Sequence, residues 1–221
     1  RLRCDWSSDV CSSDLLLKAE KPLIYAGEGV IYAGASAELK EFAELVNAPV
    51  ITTLKAKGAF SEDHPLFVGV RGDQVNHYLN ECDLLFAVGS SLSPGRFSHG
   101  IPNAVNKTIV HCTIDELHVN KTYPTAQAVI GDAKFTLEAL NAEVSAKTSG
   151  NGRPAGNVAS EVKAVRDSAM TKYREAMAST EKPINPYKVY AGLMEALDPF
   201  TSFVTHESGN TRDQLSTVYE T

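Results

Sequence analysis

LLFAVGSS at residues 84–91 and TIVHCTID at residues 108–115 are the two stretches that decide the fold. Each begins as a short run of apolar and β-branched residues with no polar face, and each closes on a glycine or an acid. A strand without a polar face belongs in the interior of a parallel sheet covered by helices on both sides. Upstream, PLIYA at residues 22–26 has the same character and is closed by Gly27 and Gly29. Between these runs lie helical patterns. Ala35–Asn47 carries Leu39, Phe42, Ala43 and Val46 at helical spacing. Asp73 can cap a helix running to about Asn80, and Asp132 is a good N-cap for one running to about Leu140.

Further strands are expected from Val50 after Pro49 and at Ala128–Ile130. Residues 55–72 contain Gly58, Pro65, Gly69 and Gly72 and read as one long functional loop; residues 89–107 are rich in Ser, Gly and Pro. Strand and helix thus alternate over about 120 residues, which defines an α/β fold: a doubly wound, mostly parallel sheet with helices on both faces. Ligands of such sheets bind at the carboxyl ends of the strands. Here those ends are Gly27-Glu28-Gly29, Gly89-Ser90-Ser91 and Asp115-Glu116.

The flanks read differently. Residues 1–15 repeat Ser-Ser-Asp without helical or strand periodicity, and Asp5–Leu15 looks like translated sequencing adapter; this segment, with the sole tryptophan Trp6, is set aside as a non-native leader. Residues 16–144 are then the central nucleotide-binding-like domain, and 145–184 a linker that contains an exposed helix at 158–179. Residues 185–221 read as the truncated start of a second α/β domain. There Asn185 and Pro186 open a helix to Leu197, Thr201–Thr205 is a strand, and His206–Asn210 lie past its carboxyl end.

Composition narrows the class. The chain has 221 residues, 43% hydrophobic and 22% charged, with a formal net charge of −6. That balance offers no basic patch for nucleic acid or an anionic membrane. No run approaches the length of a membrane span, and no secretory signal opens the chain, so a cytoplasmic protein is expected. Cys4, Cys11, Cys82 and Cys112 lack metal spacing, and Cys82 and Cys112 read as buried core. The histidines show no metal motif. His111 reads as a satisfied core residue and His64 as a turn residue. Gly27-Glu28-Gly29 is not a full dinucleotide fingerprint, and Glu28 would repel a pyrophosphate, so an ordinary turn and a binding loop remain equally open. For Gly69–Gly72, backbone amides with Arg71 on a ligand, or a solvated loop, are also evenly balanced.

KGAFSEDHPLFVGVRG at 57–72, NECDLLFAVGSSL at 80–92, IVHCTIDELHVNK at 109–121 and AVIGDAKFTLEAL at 128–140 together resemble the central domain of thiamine-diphosphate enzymes of the acetolactate synthase type. NPYKVYAGLMEALDPFTSFVTHESGNTRDQ at 185–214 is similar to the opening of that family's C-terminal cofactor domain, with HESGNT closer to its decarboxylase and lyase branches, such as benzoylformate decarboxylase. The resemblance spans residues 19–221. It implies thiamine diphosphate and Mg2+ as cofactors, a 2-keto acid or related carbonyl substrate, and a homodimer or homotetramer. On the diphosphate side it points to Glu207, Ser208, Gly209, Asn210 and Thr211, whose amides and short polar side chains would face phosphate oxygens. It implies no catalytic or metal-ligating residue in these 221 residues, since the family's activating glutamate comes from an N-terminal domain and its GDG metal motif does not occur here. The chain alone is therefore expected to be inactive.

Some members hold FAD or ADP in the central domain. The matching positions are Gly27, Gly29, Gly69, Arg71, Gly72, Gly89, Ser90, Ser91, Arg96, Asp115 and Glu116. FAD-binding synthases carry a run resembling GVRFDDR after the strand, where this chain has GSSLSPGRFSHG at 89–100, which argues against tight FAD binding. Two other functions compete: a freestanding NAD-, FAD- or ADP-binding regulatory module akin to sirtuin-like domains, and a purely structural domain.

Overall fold

A computed structural model describes residues 12–95, 99–154, 156–199 and 201–219. Six strands form one sheet: β1 (Pro22–Ala26), β2 (Val50–Thr52), β3 (Phe67–Gly69), β4 (Leu84–Val88), β5 (Thr108–Thr113) and β6 (Gln127–Ile130). Their order is β3-β2-β1-β4-β5-β6, and every neighbouring pair is parallel. This is the doubly wound arrangement, whose strand order reverses between β1 and β4. The register there is unbroken, Pro22 opposite Leu84 through Ala26 opposite Val88.

Alternation along each strand sends side chains to two cores. Ile24, Ala26, Leu84, Phe86, Val88, Val110 and Cys112 face one side, against the helices α1 (Ser12–Lys18), α2 (Gly29–Tyr32), α3 (Ser36–Val46) and α5 (Ala133–Lys147). Phe42 of α3 meets Phe86 with ring centroids 5.0 Å apart. Leu23, Tyr25, Leu85, Ala87 and Ile109 face the other side, against α4 (Asp73–Glu81) and α6 (Val158–Met177). Each fully buried side chain of this size contributes about 1.5–3 kcal/mol, so both faces are needed to hold the sheet. Cys82 and Cys112 are buried, one in each core.

Several elements depart from the sequence reading. Residues 55–72 are not one loop, because Phe67–Gly69 pairs with β2 as an edge strand of three residues. Asp73 is the first residue of α4 rather than its cap; Gly72 occupies the cap position, and the Asp73 carboxylate reaches Lys172 on α6. Thr201–Thr205 is not a strand: among the described residues it pairs with none, and although Val204 packs on the small cluster of Tyr190 and Leu215, Phe203 is 88% exposed, so no ladder holds it extended. Ser12–Leu15, read as leader, lies in α1, where Leu16 is fully buried and Lys147 binds Ser13 and Asp14. Trp6, Cys4 and Cys11 lie outside the described residues. α5 runs on to Lys147, inside the stretch read as linker.

The remaining helices are α7 (Pro186–Ala196), capped by Asn185 with Pro186 at its start, and α8 (Asn210–Val218). Tyr190, Leu215, Val218 and Tyr219 form a small cluster that leans on Met170, Tyr173 and Met177 of α6. An ion pair and a charged hydrogen bond fasten α8 and the residue after it to the sheet domain. Lys57 donates to Glu62 at 2.6 Å and to the Tyr219 carbonyl at 2.7 Å, and Arg71 pairs with Asp213 at 3.3 Å. Among the described residues no helix is long and apolar enough to cross a membrane.

Candidate functional site

The reversal of strand order leaves a cleft of about 420 Å³ above the carboxyl ends of β1, β4, β5 and β6. The turn after β1 and the turn after β4 form its floor, and they touch backbone to backbone. A methyl group on Gly27 would stand 2.3 Å from the Gly89 carbonyl oxygen, and one on Gly89 would stand 2.7 Å from the Val30 nitrogen. Gly27, Gly29 and Gly89 are therefore glycines because two chain segments interlock there, which favours the ordinary-turn reading. The N–H groups at the start of α2 are consumed by the same packing. Gly29 donates to Gly89, Val30 to Gly27, and Ile31 and Tyr32 to Glu28.

Ser90 and Ser91 lie on the wall of the cleft. Their hydroxyl oxygens accept from the N–H groups of Leu92 and Ser93, leaving the hydroxyl protons to point elsewhere. The Ser90 carbonyl is held from below by His111. Because a carbonyl only accepts, the His111 Nε2 carries the proton in this 2.8 Å bond. Nδ1 is buried with no partner among the described residues, so there only half of His111 is satisfied. Burial pushes the His111 pKa below its ordinary value, and the ring stays neutral. A histidine within an apolar strand was the one sequence signal for this support, and its role in holding Ser90 was missed.

Asp132 lines the cleft and caps α5, its carboxylate accepting from Lys134 and Phe135. Glu28, also on the lining, pairs with Lys55 at 3.2 Å. Thr113, His118 and Tyr32 complete the polar rim. Asp115 accepts from the Leu117 N–H and meets His118 at 3.5 Å, so it caps the turn Glu116–His118 beside the cleft.

The sequence-derived positions thus divide into separate groups. Gly27, Gly29, Gly89, Ser90 and Ser91 come together, with Asp115 and Glu116 beside them. Gly69 ends β3, Arg71 and Gly72 follow it, and none of the three is on the lining of that cleft. There the Gln74 side chain donates to the Arg71 carbonyl, and Arg71 faces Asp213. Close by, burial and then the Arg71 charge push the His99 pKa down to about 4, while His99 donates its N–H to the Tyr25 hydroxyl. Arg96 lies outside the described residues. Glu207–Thr211 form a third place, an exposed turn entering α8. Gly209, with φ of 104°, sets the helix entry. The N–H groups of Ser208, Gly209, Asn210 and Thr211 have no acceptor among the described residues. This is the opposite of α2, whose first-turn donors are all occupied.

Fold and site define an α/β protein with a switch-point crevice and a separate open helix entry. Residues 12–140 match the family model described as thiamine pyrophosphate enzyme, central domain, and the chain belongs to that family. It is 34% identical over 205 residues to a probable acetolactate synthase large subunit of Methanocaldococcus jannaschii, covering 86% of this chain and 32% of the relative. A probable acetolactate synthase large subunit of Methanococcus aeolicus is 30% identical over 219 residues, covering 94% of this chain and 36% of the relative. The large subunit from Parasynechococcus marenigrum is 39% identical over 131 residues, 56% of this chain and 21% of its own. The chain spans about a third of the length of the first two relatives.

Proposed function

We propose that this chain supplies the central domain and the entry to the cofactor domain of an acetolactate-synthase-like enzyme acting on a 2-keto acid. The observation that supports the reading is the entry to α8, where four consecutive N–H groups have no acceptor among the described residues, on a turn whose sequence resembles the family's diphosphate loop. Such groups at a helix start, with the positive end of its dipole, suit phosphate oxygens. The donor set fits: the hydroxyls of Ser208 and Thr211 and the amide of Asn210 add side-chain donors to the backbone ones. Glu207 is the one member with the wrong charge, and its exposed carboxylate is screened by water.

When bound, thiamine diphosphate supplies an electron sink beside a carbonyl group. This chain's own contribution is anchoring. Ser208–Thr211 would hold the diphosphate end, Gly209 turns the backbone so that these donors face outward, and Arg71 with Asp213 fixes α8 against the sheet domain. The resemblance implies magnesium beside the diphosphate, held by a GDG motif that this sequence does not contain. The reading extends to a lyase or transferase working as a homodimer or homotetramer.

In the whole enzyme, replacing Ser208 and Thr211 together by alanine is expected to raise the thiamine diphosphate concentration for half-maximal activity about tenfold, with little change in rate at saturation. An unchanged half-saturation would contradict the assignment.

A further inference from the structure

The central cleft departs from what a dinucleotide requires. A pyrophosphate at a strand-to-helix turn needs open N–H groups and a nearby cation. Here the first-turn donors of α2 are all bonded inside the fold, and the glycine surfaces that could admit phosphate are filled by the opposing turn. The lining instead carries two carboxylates, Glu28 and Asp132, and among the described residues it includes no lysine or arginine. Lys55, at its edge, is drawn to Glu28 at 3.2 Å.

What remains open in the cleft is of another kind. The Ser90 and Ser91 N–H groups have no acceptor among the described residues, and both hydroxyls can donate. Asp132 and Glu28 supply acceptors, and the Tyr32 ring, 83% exposed, offers a flat apolar surface at the mouth. Closely spaced donors and carboxylate acceptors match adjacent hydroxyl groups, as a carboxylate matches a ribose. The cleft is within the size range that encloses a small ligand.

We infer that this cleft selects an uncharged ligand presenting adjacent hydroxyls beside a flat ring, and rejects the same ligand once it carries a phosphate or diphosphate. Its basis is the carboxylate lining and the consumed donors of the α2 turn, and it stands whether or not α8 holds thiamine diphosphate.

The test is a titration of the 15N-labelled 221-residue protein with adenosine, ADP and FAD as probes. Adenosine is expected to shift the amides of Ser90, Ser91 and Thr113, with ADP and FAD at least about tenfold weaker. The double variant Glu28→Gln, Asp132→Asn keeps a competent helix cap and is expected to bring ADP to within about threefold of adenosine. Should that variant fail to fold, Glu28→Gln alone is expected to narrow the gap in the same direction. The inference is overturned if ADP or FAD binds as tightly as adenosine. It is equally overturned if the charge-removing variants leave the gap unchanged, or if adenosine at about 10 mM moves none of these amides.

Discussion

A methyl group placed on Gly27 would meet the Gly89 carbonyl oxygen at 2.3 Å, and neither backbone can retreat without breaking the paired strands below. Gly27→Ala is therefore expected to lower stability by about 2–3 kcal/mol, read as a shift in the urea midpoint. Gly192, inside α7 with nothing within 4 Å of a built methyl, is the contrast. Gly192→Ala is expected to raise stability by up to about 1 kcal/mol. Both glycines stand out equally in the sequence, and only the fold separates them. The same is true of His111, whose position in a strand was legible, while its bond to Ser90 depends on which strand lies beside it. Burial holds His111 below its ordinary pKa and His99 down to about 4. The unfolded chain therefore binds protons that the folded chain refuses. This contribution to stability is complete above the ordinary value of 6.5 and is lost as the pH falls towards about 4. The thermal midpoint is expected to fall across that interval, and His111→Gln to flatten part of the fall. A midpoint constant from pH 6.5 to 4 would contradict the burial argument.

Elements with strong local signals were legible, and elements defined by a partner were not. β1, β4 and β5 are continuous apolar runs, and α5 and α7 have side-chain caps at Asp132 and Asn185, so their positions follow from local chemistry. β3 is three residues long and exists because β2 offers an edge, which no local pattern encodes. Thr201–Thr205 has the β-branched character of a strand and lacks any strand to pair with. How α8 is attached was equally hidden, because it rests on contacts between residues far apart in sequence, Arg71 with Asp213 and Lys57 with the Tyr219 carbonyl. Glu62 is 2% exposed and bonds Lys57 at 2.6 Å, while Lys57 also reaches the Tyr219 carbonyl. Lys57→Met strips a buried carboxylate of its closest cation and is expected to cost about 3 kcal/mol. It should also speed amide exchange in α8 more than in β1. Uniform exchange in the variant would show that the contact does not hold the helix.

For the whole molecule, alternation of strand and helix was sufficient for the α/β class, whereas strand order was not, because pairing is set by how crossovers fold back over the sheet. The two glycine-bearing turns show the limit most clearly. In the sequence the first was open between an ordinary turn and a binding loop, and the second read as a diphosphate loop by resemblance. In the fold the first-turn donors of α2 are bonded, while the N–H groups from Ser208 to Thr211 have no acceptor among the described residues. The chain spans about a third of the first two relatives' length, and in the proposed function catalysis belongs to a longer enzyme. The 221-residue protein with thiamine diphosphate, magnesium and pyruvate is expected to show no turnover in a product assay, and measurable turnover would contradict that assignment. The most direct measurement of the central claim is a 15N spectrum of this protein titrated with magnesium and thiamine diphosphate. The expected result is movement of the Ser208–Thr211 amides with those of Gly29–Tyr32 unchanged. Movement at Gly29–Tyr32, or none at Ser208–Thr211, would contradict it.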